Sequence, residues 1–126
     1  MPVTLDKQGL VDRILTMPAP KPPKLKMFIV LRWDLPAEAA VVAAAHASIG
    51  TYLTFIDNPL MQEWQKTSFI KRLCKAVDYS HFQNLKSLGK HRVFTESTFN
   101  NSEVSIGFDI VPPPYNIMNE IPLWKP

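Results

Sequence analysis

The placement of proline constrains this chain more than any other feature. Twelve prolines are present, and most fall in two groups, Pro18 to Pro23 and Pro112 onward, with none between Pro59 and Pro112. Proline fixes φ and removes a backbone donor, so helix interiors and central strands exclude it. Regular secondary structure is therefore expected in the proline-free middle. The run Pro18-Ala19-Pro20-Lys21-Pro22-Pro23-Lys24 predicts an extended, polyproline-like linker. It divides an N-terminal arm, residues 1–23, from a domain over residues 24–126. Within the arm, Leu10, Val11, Ile14 and Leu15 have helical spacing and predict a short amphipathic helix over Leu5–Met17. Its apolar face would pack on its own domain or on a second copy, giving a homo-oligomer.

Past Lys26 the pattern changes. Met27-Phe28-Ile29-Val30-Leu31 is a continuous apolar run, the signature of a strand buried on both faces. Pro36 then opens a helical segment reaching about Ile56. It is apolar nearly all round, which predicts a mostly buried helix. Asp34 just ahead would complement the helix dipole. Asn58 can cap a second, shorter helix containing Met61 and Trp64. Phe69–Val77 is the next strand, and its three cations require one face or edge to meet solvent. Tyr79–Leu88 reads as a helix stopped by Gly89. His91–Thr98 and Glu103–Ile110 read as a hairpin around Phe99-Asn100-Asn101-Ser102. After Val111 the prolines return, and the tail Ile121-Pro122-Leu123-Trp124-Lys125 is expected to be extended. Strands alternating with crossover helices and closing in a hairpin predict a mixed α/β sheet with helices on both faces.

Composition excludes several classes. An apolar share of 46% against 20% charged, over 126 residues, suits one folded core rather than a disordered chain. The net charge of +3 mildly favours an anionic partner such as RNA. A lone cysteine, Cys74, cannot make an internal disulfide, and its spacing to the scattered His46, His81 and His91 is not that of a zinc site. Four glycines are too few for a phosphate-cradling loop. No metal or cofactor is expected. The most apolar run, Ala39–Ala45, is too short to span a bilayer, so a soluble, cytoplasmic protein without a membrane partner is expected.

Several residues carry chemistry. His46 is expected either as a core histidine satisfied by one partner or as a general base. Arg32 and Asp34 sit where the first strand ends, the edge at which open α/β sheets bind ligands; the plainer alternative is a surface ion pair. Glu96 lies among the hydroxyls of Thr95, Ser97 and Thr98, a setting that can polarise water or simply solvate a hairpin end. Lys71, Arg72 and Lys75 could contact RNA phosphates, with Lys86, Lys90 and Arg92 extending the surface, or could be ordinary surface charge.

Ile29-Val30-Leu31-Arg32-Trp33-Asp34-Leu35 and Ala44-Ala45-His46-Ala47-Ser48-Ile49-Gly50-Thr51-Tyr52 resemble the opening strand and first helix of class II peptidyl-tRNA hydrolases. Asn58-Pro59 through Trp64, the lysine-bearing second strand and the spacing to the hairpin extend the likeness over roughly Lys24 to Ile110. The nearest branch is the divergent peptidyl-tRNA hydrolase domain-containing proteins. The resemblance implies a three-layer α/β/α fold with a four-stranded mixed sheet in order 2-1-4-3. It also implies hydrolysis of the ester in peptidyl- or aminoacyl-tRNA. The family's active members carry a lysine seven residues before the helix histidine and a glutamine three before it. Here Ala39 and Ala43 stand at those positions. The family's hairpin supplies an aspartate and a threonine, which the resemblance carries onto Glu96 and Thr98. A hydrolase of this kind would use His46, Asp34, Glu96 and Thr98. The alternative is a non-catalytic descendant whose helix face, with Ala39, Ala43 and Gly50, suits a small apolar ligand or a partner side chain.

Overall fold

Met27–Leu31 are all buried, at most 3% exposed, and this run makes β1 (Lys26–Leu31) the centre of the sheet. The computed structural model describes residues 24–126, so the expected arm helix and linker over residues 1–23 lie outside the described residues. After β1 come α1 (Ala37–Thr54), α2 (Pro59–Lys66), β2 (Ile70–Lys75), α3 (Tyr79–Leu85), β3 (His91–Glu96) and β4 (Ser102–Phe108). The sheet order is β2-β1-β4-β3, with β1 and β2 parallel and the other pairings antiparallel. This four-stranded mixed sheet has the strand order expected above.

Strand alternation divides the core in two. Met27, Ile29, Leu31 and Val104 pack with α1 and α2, around Ala40, Ala43, Ala47, Met61 and Trp64. Phe28, Val30, Cys74, Ile106 and Phe108 pack on the other face with Phe82 and Leu85 of α3 and with Tyr115 and Ile121 of the tail. No helix of the described residues is long and apolar enough to cross a membrane.

Local chemistry explains the boundaries. Pro36 is the N-cap of α1, one residue before the first turn, and its carbonyl accepts from Ala40 N–H at 2.9 Å. Asn58 caps α2 by accepting from Leu60 N–H at 3.0 Å. Its amide nitrogen also donates to Asp109 and to the Ile110 carbonyl, both at 2.9 Å, which ties α2 to the end of β4. Asp78 caps α3 through His81 N–H.

Several boundaries differ from the sequence reading. Phe69 has φ 53°, a left-handed conformation costing a non-glycine residue about 1–2 kcal/mol, and it cannot extend a ladder, so β2 starts one residue later. The helix expected over Tyr79–Leu88 becomes a 3₁₀ turn at Lys86–Leu88, and Gly89 is extended rather than left-handed. β3 stops at Glu96 because Ser97–Phe99 curl into a 3₁₀ turn. Asn100 and Asn101 follow in the left-handed region that asparagine tolerates, and Asn101 N–H closes the hairpin on the Glu96 carbonyl at 2.9 Å. The tail contains a 3₁₀ turn at Met118–Glu120. It then runs along β2, where Lys75 N–H donates to Pro122 and Trp124 N–H to Leu73.

The largest correction concerns α1, expected to be mostly buried. Its sheet-facing positions are small, namely Ala40, Ala43, Ala47 and Thr51, and all are buried. The bulky Val41, Val42, Ile49 and Leu53 point outward, 47% to 68% exposed. Small residues go inward because α1 approaches the sheet closely. At Gly107 an added Cβ would overlap Thr51 Oγ1 and lie 2.9 Å from Thr51 Cβ. Gly107→Ala is therefore expected to destabilise the domain by about 1–3 kcal/mol through overpacking, read from urea unfolding. A variant melting with the wild type would refute this close contact.

Cys74 lies within the second cluster, fully buried, and burial pushes its thiol up to about 11 against the opposing pull of Arg72. A thiol reagent at mildly alkaline pH is expected to leave Cys74 unmodified in the folded chain and to label it in denaturant. Rapid labelling of the native protein would be the contrary result.

Candidate functional site

α1 lies antiparallel across β3, and their side chains meet in matched rows. On α1 the row is His46, Gly50 and Thr54, at the four-residue spacing of one helix face. On β3 it is Glu96, Phe94 and Arg92, at the two-residue spacing of one strand face. Arg92 Nη1 donates to Thr54 Oγ1 at 2.9 Å. The Phe94 ring fills the space that Gly50 leaves; a Cβ there would overlap Phe94 Cε1 and stand 2.8 Å from Cζ. At the top of the row, His46 Nδ1 lies 2.5 Å from Glu96 Oε1.

This pair is the strongest chemical feature of the described residues. The His46 side chain is 58% exposed and Glu96 only 14%, so a nearly covered carboxylate orients an accessible imidazole. His46 is thus not the core histidine of the plainer expectation. It stands on the flank of α1, while its neighbours Ala43 and Ala47 face the sheet. With Nδ1 engaged, Nε2 has no hydrogen-bond partner among the described residues and is left to act on a ligand. Glu96 is held by its place in the ladder opposite Ser102, by the Asn101 N–H on its carbonyl, and by the neighbouring register shift between Phe94 and Thr95. Such irregularities re-aim side chains at strand ends. Thr95, Ser97 and Thr98 are exposed at this end.

The other expected residues are distributed differently. Arg32 is spent on Asp34, with Nε to Oδ1 at 2.5 Å and Nη2 to Oδ2 at 3.2 Å. Arg32 follows Leu31 on the opposite side of the strand and lines a cleft of about 490 Å³ with Trp33, Tyr79, Gln83, Lys86 and Glu103. There Lys86 Nζ lies 2.6 Å from Glu103 Oε1, and this hydrogen bond holds the Glu103 carboxyl below the usual carboxylate range. Adjacent positions on the β3–β4 pair thus serve two faces: Glu96 meets α1 and Glu103 meets α3. Asp34 belongs with the second group, not with His46.

Of the helix positions, Ala39 is partly buried against the first cluster, Ala43 is 1% exposed within it, and Gly50 is stacked on Phe94. Ala43 and Gly50 serve packing. The three cations of β2 do not share a patch. Lys71 lies over the Phe69 ring at 3.3 Å, and desolvation lowers its pKa. Arg72, on the opposite side of the strand, donates to the carbonyls of Asn119 and Ile121 and so pins the tail. Lys75 alternates back to the side of Lys71 at the far end of the strand. Among the described residues no group of three or more His, Cys, Asp or Glu side chains could hold a metal ion.

Sequence reading missed one concavity, an apolar groove of about 340 Å³ between α1 and α2 walled by Ile49, Tyr52, Trp64 and Phe69. The only hint in the sequence is that bulky residues of α1 outnumber what one sheet-facing stripe can hold. No model of a known protein family and no curated protein matches the chain.

Proposed function

We propose that the chain is a peptidyl-tRNA hydrolase II-like esterase that hydrolyses the ester joining a peptide or aminoacyl group to tRNA. The observation that carries this reading is the accessible His46 imidazole held by the covered Glu96 carboxylate at 2.5 Å. Further support is the resemblance of the segments around Leu31 and His46. In the proposed step His46 Nε2 takes a proton from water as the water oxygen bonds to the ester carbonyl carbon. The Glu96 carboxylate favours the imidazolium so formed. The tetrahedral intermediate collapses, the bond to the ribose oxygen breaks, and the imidazolium returns the proton to that oxygen. The hydroxyls of Ser97 and Thr98 are candidate donors to the oxyanion.

A second reading, a non-catalytic domain that binds a small molecule or a protein, draws on Ala39 and Ala43. Alanine supplies neither a proton nor an oxyanion donor where the resembling enzymes carry lysine and glutamine. The deciding experiment is release of peptide from peptidyl-tRNA by the purified protein, beside His46→Ala and Glu96→Gln. Turnover by the wild type that collapses in either variant supports the esterase. No turnover, or turnover indifferent to both changes, leaves the binding domain as the reading.

A further inference from the structure

The cleft between β4 and α3 lies on the face of the sheet opposite His46, and two kinds of group meet in it. The first are planar. The Trp33 and Tyr79 rings stand at 88° with centroids 6.0 Å apart, and the Arg32 guanidinium lies over the Trp33 ring, 4.9 Å from its centroid. Tyr79 is 65% exposed, so its ring is open to a flat ligand. The second are polar groups with bonding capacity to spare. Lys86 Nζ donates to Gln83 Oε1 at 2.8 Å and to Glu103 Oε1 at 2.6 Å, and its third proton meets no acceptor among the described residues. The contacts to the Glu103 carboxylate, from Lys86 and from Gln83, both end on Oε1, so Oε2 has no donor among the described residues. A free donor therefore stands beside a free acceptor, next to an exposed aromatic ring.

We propose that this cleft binds a guanine base, stacked on Tyr79 and read along its edge by Lys86 and Glu103. Unstacked bases are held in this way, by an aromatic face and by hydrogen bonds to the Watson–Crick edge. Guanine alone among the four RNA bases presents O6, N1–H and N2–H in a row, an acceptor followed by two donors. Lys86 donates to O6, and the Glu103 carboxylate accepts from N1–H and N2–H. Adenine and cytosine each set a ring-nitrogen acceptor beside their amino group, which a carboxylate repels. Uracil offers one donor between two acceptors. The cleft, at about 490 Å³, is of the size that takes small ligands. Its charges pair off, Arg32 with Asp34 and Lys86 with Glu103, so a bare phosphate is a poor occupant and recognition rests on the base.

The test is calorimetric titration of the full chain with the four ribonucleoside monophosphates, beside Glu103→Gln and Tyr79→Ala. Both side chains are exposed, and circular dichroism checks that each variant keeps the fold. Guanosine monophosphate is expected to bind about tenfold or more tightly than the other three, the size of one good two-bond base contact. Glu103→Gln should erase that preference, Tyr79→Ala should weaken guanosine monophosphate by about tenfold through lost stacking, and excess inorganic phosphate should not compete. A single-stranded oligouridylate with one central guanine separates the two sources of the base. Tighter binding than the free nucleotide names an RNA strand, equal or weaker binding names a free nucleotide, and either supports the guanine site. Equal affinity for all four nucleotides, no binding of either guanine probe, a preference that survives Glu103→Gln, or unchanged binding in Tyr79→Ala would overturn the proposal.

Discussion

Replacing Trp64 by alanine is expected to remove a large part of the domain's stability. Trp64 is 1% exposed and packs in the first cluster beside Met61 and under α1, with its ring 4.9 Å from that of Phe69. Its Nε1 donates to the Ile70 carbonyl at 2.7 Å, fixing the start of β2 against the end of α2. Truncation of a buried tryptophan costs about 3–5 kcal/mol, against the roughly 5–15 kcal/mol that holds a typical domain together. It also removes the donor serving Ile70. Trp64→Phe keeps much of the ring volume and loses the donor, so its cost should be about 1–3 kcal/mol. Urea unfolding of both variants reads the difference. A Trp64→Ala midpoint close to the wild type, or equal losses in the two variants, would contradict this account of α2.

The second large effect is expected in turnover. If the chain hydrolyses an aminoacyl ester, His46→Ala should lower kcat by about 10²–10⁴-fold, the range for loss of a positioned acid–base group. Glu96→Gln should cost less, because a glutamine oxygen can still accept from Nδ1 while lacking the charge that favours the imidazolium. His46 is largely exposed and Glu96→Gln keeps the side chain's size, so neither change should alter folding greatly, and KM should move far less than kcat. A fall confined to KM would assign the pair to binding rather than to chemistry. Asp34→Asn offers an internal comparison, since Asp34 is committed to Arg32 beside the other cleft and should leave kcat within severalfold of the wild type.

The sheet was legible because its signals are local. The unbroken run Met27–Leu31 could only be a strand covered on both sides, and Asn58 and the Asn100-Asn101 pair mark a cap and a turn by their own hydrogen-bonding chemistry. What was not legible depended on distance and size. Nothing in the sequence joins His46 to Glu96. Their meeting follows from the way α1 lies on β3, and that in turn from Gly50 accepting the Phe94 ring and Gly107 accepting Thr51. The orientation of α1 was hidden for a related reason. An apolar count treats alanine and valine alike, whereas close packing on a sheet selects the smaller side chain for the inside. Lys71 and Arg72 are neighbours in sequence, yet the alternation of β2 sends them to opposite faces, so a cluster of charge in the chain is not one on the surface.

The free edge of β2 is closed by residues made long after it. Pro122 and Trp124 bond to Lys75 and Leu73, and Leu123 bridges Cys74. During synthesis β2 therefore emerges with bare amide and carbonyl groups, and they stay bare until Pro122–Trp124 have left the ribosome. A nascent chain stalled in that interval presents an edge ready to pair with a neighbouring nascent chain. Fusions that displace Pro122–Trp124 would make that temporary hazard permanent.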